Sequence, residues 1–398
     1  MSRKKILLGS FLCTSIGIGF FLFLQARKSV IWFQPQLFSQ TTPELVADHT
    51  PQSAQKKRIV YGYVPYWTKS KVTYHSVLTH ASFFSLAIQA DGKLLDIPQN
   101  ARDSGYRAYD RGALQEMRNA LEASQKLELT ITMMDQTTIP QFLQNEDSIK
   151  TFLTDLESII QSQPISGINI DIEYNGLVDP TLQENFTDLL RKTKVVLKKQ
   201  SPPLSLSIAT YADAGDLQRL THLTSVEPEV DFIVMMAYDY HRSKSPNAGP
   251  NSPMYGKSLG KWEEDIMSNL HQYTQVVPSE KIILGVPFYG YAWSVEDGAN
   301  PNSFTLPKSG ESVPYANIQK IAPRAGVERH WDSDALSPYL SYVIDGKTKI
   351  LYYDDSESMR YKMQLVEQAN LGGIAIWALG YEEDHRELWD TIQEFILF

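Results

Sequence analysis

The run Ser166-Gly-Ile-Asn-Ile-Asp-Ile-Glu-Tyr174 constrains this chain more than any other stretch. Side chains on a strand alternate between faces, so Ile168, Ile170 and Ile172 share one side and Asn169, Asp171 and Glu173 the other. The apolar face is ready to pack under helices. The opposite face stacks an amide and two acids, which is costly to bury unless the groups are used. A polar stack ending in a carboxylate at the C-terminal end of a strand predicts a catalytic site at the mouth of a barrel. A solvated face in an antiparallel sheet is the alternative, and the rest of the chain decides against it.

Short apolar segments alternate with helical stretches from Arg58 onward, the pattern of a βα repeat with a parallel sheet. The expected strands are Ile59–Val64, His80–Ala87, Leu127–Met133, Gly167–Glu173, Leu204–Ala209, Phe232–Tyr238, Ile282–Phe288 and Gly373–Trp377. They predict an α/β fold, a (β/α)8 TIM barrel, over residues 58–398. Asp179 caps the helix after the fourth strand, Pro180 suits its first turn, and Leu182, Phe186, Leu189 and Leu190 form its buried stripe. A small α+β insertion is expected at about 294–348, between the seventh and eighth strands. Its Pro, Gly and polar content, with Tyr315, Trp331, Tyr339 and Tyr342, breaks the repeat.

Residues 1–28 read as an address. Arg3-Lys4-Lys5 precede nineteen uncharged residues, Ile6–Leu24, and Arg27-Lys28 follow. That length spans a bilayer core of about 20 residues and exceeds the usual signal-peptide core of about 7–15. The expectation is export, either as a signal anchor with the body outside the cytoplasm or as a cleaved secreted or periplasmic protein. Residues 29–57, rich in Gln, Thr, Ser and Pro, read as a flexible linker. The net charge is −9, and beyond residue 28 it is −14, so nucleic acid is a poor partner. The lone Cys13 allows no intrachain disulfide. No metal-ligand spacing and no dinucleotide or phosphate motif is present, so neither metal nor cofactor is expected. Gly256-Lys257-Ser258-Leu259-Gly260 matches a nucleophile elbow in letters, but the segment before it is a poor strand and a loop is expected.

With these residues in view, the chain resembles the family 18 glycoside hydrolases, the chitinase-like group. The family's fourth-strand Asp-Gly-x-Asp-x-Asp-x-Glu reads Ser166-Gly167-Ile168-Asn169-Ile170-Asp171-Ile172-Glu173. Its Met-x-Tyr-Asp is Met236-Ala237-Tyr238-Asp239, and its seventh-strand signature is Gly285-Val286-Pro287-Phe288-Tyr289-Gly290. Gly62-Tyr63, Tyr353–Ser358 and Gly372–Trp377 complete the set in the right order. The Asn at 169 is similar to the chitobiase and spore-germination, peptidoglycan-directed branches.

The resemblance implies hydrolysis of β-1,4 bonds next to N-acetylglucosamine with retention, the substrate's own acetamido oxygen serving as nucleophile. It implies Glu173 as general acid and base, Asp171 as the group that orients the acetamido N–H, and Tyr238 as its hydrogen-bonding partner. It further implies substrate contacts from Tyr63, Asn169, Tyr174, Asp239 and Tyr289, with Trp377 as the apolar floor. Met236 belongs to the same set, although core packing is its simpler reading. The partner is an N-acetylglucosamine-containing oligo- or polysaccharide, chitin-derived or peptidoglycan, bound by a monomer. A non-catalytic, lectin-like protein is the alternative, disfavoured by the presence of Glu173.

Departures from the pattern carry their own expectations. Asn169 can hydrogen-bond Asp171 and removes one negative charge, which should leave Asp171 easier to ionise. Thr130-Ile131-Thr132-Met133-Met134 lacks the family's Ser-x-Gly-Gly, putting the hydroxyl below the acids in doubt. Tyr291 stands where many chitinases carry Arg. His241, just after Asp239, could border the cleft, but a solvated loop position is expected.

Overall fold

The computed structural model describes residues 58–398 apart from 216, 217, 297, 299, 397 and 398. The proposed signal or anchor at 1–28 and linker at 29–57 lie outside the described residues. Among the described residues, no helix is long and apolar enough to cross a membrane.

Eight parallel strands close into a barrel: β1 (Ile59–Pro65), β2 (His80–Ala87), β3 (Lys126–Met133), β4 (Gly167–Ile172), β5 (Ser205–Tyr211), β6 (Phe232–Met236), β7 (Ile282–Pro287) and β13 (Gly373–Trp377). All eight expected strands are present. Their outward side chains, such as Ile168 and Ile170 of β4, are buried beneath a ring of helices. The helix Pro180–Lys198 is built as its sequence implies. Asp179 accepts from the Leu182 N–H at 2.8 Å, and Leu182, Phe186, Leu189 and Leu190 face the barrel.

Strand ends differ from expectation by a residue or two, and the differences reach the site. β4 and β6 stop at Ile172 and Met236, so Glu173 and Tyr238 stand just above the ladder. β5 runs on past Ala209, because Thr210 and Tyr211 pair with Met235 and Met236 of β6.

The insertion is a five-stranded antiparallel sheet, with β8 (Tyr289–Val295), β9 (Glu311–Pro314), β10 (Glu328–Asp332), β11 (Ser337–Ile344) and β12 (Lys347–Tyr352) in the order β10-β11-β12-β8-β9. A helix, Tyr315–Ile321, follows β9. The sheet begins at Tyr289, only one residue beyond β7, and not at Ser294. Trp293, Tyr339, Ile350 and Tyr352 form its own small core. The strand alternation of Tyr289, Tyr291 and Trp293 therefore turns two tyrosines from the insertion toward the barrel mouth.

Candidate active site

The barrel interior is layered. At the bottom, Glu128 of β3 accepts hydrogen bonds from the Tyr61 hydroxyl (2.9 Å) and the Ser205 hydroxyl (2.6 Å). One layer up, Asn169 accepts from the Tyr63 hydroxyl at 3.3 Å, and its Nδ2 donates to Ser207 Oγ at 2.9 Å. Ser82 and Thr130 share a 2.7 Å hydrogen bond at the same level. Asp171 and Glu173 crown the stack and open into a cleft of about 680 Å³ at the C-terminal face.

Burial dominates the electrostatics of the acid pair. Asp171 is 4% exposed, and its Oδ1 is buried with no hydrogen-bond partner. Desolvation, then the neighbouring Glu173 charge, push its carboxyl well above the usual range. Glu173 is also pushed up, chiefly by burial; a hydrogen bond with the Tyr211 hydroxyl pulls the other way, the Asp239 charge adds to the rise, and Arg242 opposes it. Two acids that disfavour simultaneous ionisation favour keeping one proton on the pair.

Most of the expected residues converge here. Tyr63, Met236, Tyr238, Asp239, Tyr289 and Trp377 line the cleft with the two acids. Gly285 makes room for Tyr238: a Cβ there would meet its Cε1 at 3.0 Å and the Met235 carbonyl at 2.7 Å. Asp239 adopts a left-handed φ of 64°, where its N–H donates to Asn251 Oδ1 (2.9 Å) and its carboxylate accepts from the Tyr289 and Tyr291 hydroxyls. Tyr291 thus engages Asp239 through a neutral hydroxyl. Trp377 packs edge-on against Phe84, with ring centroids 4.6 Å apart, and lies near Tyr63.

Three expectations are corrected. Tyr174 does not line the cleft; it follows Glu173, so alternation sends it to the opposite side, against the helical shell. Asn169 lies a layer below the cleft and bonds Tyr63 and Ser207, because same-face neighbours on a strand sit about 6.6 Å apart. His241 borders the cleft half-buried, its ring 5.0 Å from that of Trp262 and its Nδ1 3.0 Å from the Pro250 carbonyl. The doubt about hydroxyls beneath the acids is resolved by Thr130, Ser82 and Ser207. Ser258 falls in a single 3-10 turn, Lys257–Leu259, as a loop reading requires.

Tyr211 and Arg242 were not anticipated. Tyr211 continues the inward series Ser205, Ser207, Ala209 of β5 and reaches Glu173, while the Asn175 side chain donates to its hydroxyl at 2.9 Å. Arg219 stacks on its ring at 4.8 Å and is bonded to Asp213 and to Asn175 Oδ1. Carrying the period-2 alternation of β5 one step further would have found Tyr211.

A (β/α)8 barrel with paired acids and an aromatic floor at its C-terminal mouth has the form of a saccharide-processing cleft. Comparison with known proteins gives the family. The sequence profile of glycosyl hydrolases family 18 matches residues 59–382, and the chain belongs to that family. It is 27% identical over 256 residues to a probable endochitinase of Caenorhabditis elegans, covering 59% of this chain and 40% of that protein. It is 24% identical over 294 residues to the probable di-N-acetylchitobiase 2 of Dictyostelium discoideum, covering 65% and 73%. A solved family 18 N-acetylglucosaminidase from Paenibacillus barengoltzii shares the fold, with a TM-score of 0.68 and 21% identity over 85% of this chain and 99% of that one.

Proposed function

We propose that this protein is an exported retaining glycosidase that cleaves β-1,4 bonds of N-acetylglucosamine-containing glycans, chitooligosaccharides or peptidoglycan, by substrate-assisted catalysis. One observation carries the reading: a buried Asp171 oxygen with no protein partner beside Glu173, whose carboxyl burial pushes upward in pKa. A buried acceptor left unsatisfied calls for a donor from elsewhere, and an acetamido N–H is such a donor.

The reaction then balances within the cleft. Glu173 gives its proton to the glycosidic oxygen as the bond from C1 breaks. The acetamido oxygen forms a bond to C1, with Tyr238 steadying it and Asp171 holding the N–H and offsetting the oxazolinium charge. Water attacks C1 from the side the leaving group vacated, giving its proton to the Glu173 carboxylate as the bond from C1 to the acetamido oxygen breaks, and configuration is retained. Trp377 supports the sugar ring, and Asp239 with Tyr289 binds its polar groups.

The test compares full-length wild type with Glu173→Gln on fluorogenic N-acetylglucosamine oligosaccharides and on purified peptidoglycan. Loss of turnover by about 10²–10⁴-fold with binding retained is the expected result for a removed general acid. Binding of both glycans with cleavage of neither, in the wild type, would leave a lectin and overturn the proposal.

A further inference from the structure

One cation in the cleft has no part in the chemistry above. Arg242 lies six residues beyond the end of β6 and is held in place at several points. Its N–H donates to Ser245 Oγ (2.9 Å), its carbonyl accepts from Trp293 Nε1 (3.1 Å), and its Nε donates to the Asp239 carbonyl (3.0 Å). That last bond anchors one corner of the guanidinium, and Arg242 lines the cleft. Its charge is felt by Glu173, Tyr211 and Tyr291.

The other lysine and arginine side chains that line the cleft are neutralised: Arg219 pairs with Asp213, and Lys261 with Asp334. Among the described residues, no carboxylate pairs with Arg242, in a chain whose 46 acids outnumber its 37 Lys and Arg. Arg242 is exposed, but the bond from its Nε tethers it.

Its place along the cleft indicates what it meets. Trp377 clusters with Tyr63, Phe84 and Trp67, on the side of β13, β1 and β2. Tyr211 and Arg242 lie on the other side of Glu173, at β5 and beyond β6. A sugar stacked on Trp377 with its glycosidic oxygen at Glu173 therefore directs the next sugar toward Arg242. A guanidinium fork matches a carboxylate better than any neutral sugar group.

We propose that Arg242 selects the substrate by binding a carboxylate on the leaving-group sugar, so that the preferred glycan joins N-acetylglucosamine to an acid-bearing sugar. The proposal rests on the glycosidase reading for the position of the scissile bond, and its test is built on binding so that the two can fail separately.

Titration calorimetry with full-length Glu173→Gln would compare two ligands. One is the β-1,4 tetrasaccharide of alternating N-acetylglucosamine and N-acetylmuramic acid with free lactyl carboxylates; the other is the same glycan with those groups converted to carboxamides. The acid form should bind at least about tenfold tighter at low salt, and the preference should shrink as salt rises. Adding Arg242→Gln should reduce it to within about twofold, while Arg242→Lys, which keeps the charge without the fork, should retain part of it. Equal affinity for the two forms, no binding of either, or a preference that survives Arg242→Gln overturns the proposal. A wild type that fails to turn over any glycan sinks the glycosidase reading alone and leaves this comparison readable. Turnover of neutral chitooligosaccharides together with equal affinities does the reverse.

Discussion

Glu128 and Asp171 are both buried carboxylates on inward strand faces of the same barrel, on adjacent strands. Burial pushes both upward in pKa. They differ in what meets their oxygens. Glu128, 0% exposed, has a hydroxyl donor on each oxygen, from Tyr61 and Ser205. Asp171 has an oxygen with no donor at all. Glu128 is satisfied by the fold and has nothing left to offer a ligand. Asp171 is held short of a partner at the top of the cleft, where a ligand can supply one. Burial alone does not mark a functional acid; burial with an unmet hydrogen bond at an opening does.

Asp354 tests that distinction, because its Oδ2 is also unpartnered and buried. It does not line the cleft, and Lys362, 0% exposed, pairs with its other oxygen at 2.5 Å. Its role is therefore structural. Lys362→Met should cost about 3–5 kcal/mol in denaturant unfolding, since it strands a buried charge. Replacing both members with apolar residues, Lys362→Met with Asp354→Leu, should recover most of that loss. A single-variant cost below about 1 kcal/mol would break the assignment.

The central pair gives the next largest effect. Glu128→Leu leaves the Tyr61 hydroxyl buried without its acceptor and should cost about 1–3 kcal/mol of stability, with turnover per folded molecule nearly unchanged. Asp171→Asn should do the opposite. It removes a desolvated carboxylate, so the unfolding midpoint should hold or rise, while turnover falls about 100- to 1,000-fold for loss of a transition-state stabiliser. Midpoints and kcat/KM measured on both variants check the contrast. If Asp171→Asn lost stability and kept its activity, the reading of the acid stack would collapse.

How much of this was legible in the sequence depends on which force placed each residue. The eight strands, the Asp179 cap and the motif acids were readable because local alternation and capping chemistry dictate them. The edges were not. β5 extends to Tyr211 because β6 is there to pair with it, and the insertion starts at Tyr289 because β12 pairs with β8. Those decisions belong to the tertiary partner and leave no local signal. Glu128 was legible in principle: it alternates with Thr130 and Thr132, so one inward residue implied all three. Tyr174 belongs to the motif only by resemblance, and the same alternation that places Glu173 in the cleft sends its neighbour away.

Tyr211 gives the smallest effect and the finest division between the two kinds of acid. Its hydroxyl donates to Glu173 and steadies the ionised form, so the bond holds the Glu173 pKa below what burial alone would impose. Tyr211→Phe removes that pull, and the carboxyl should keep its proton to higher pH. A general acid must be protonated to work, so the alkaline limb of the kcat/KM profile should move upward in pH, with a loss of less than about tenfold at the optimum. The same substitution should leave stability nearly unchanged, because the Asn175 amide then turns to solvent at an exposed site. An unmoved alkaline limb would mean that Glu173 is not the group whose protonation limits the rate.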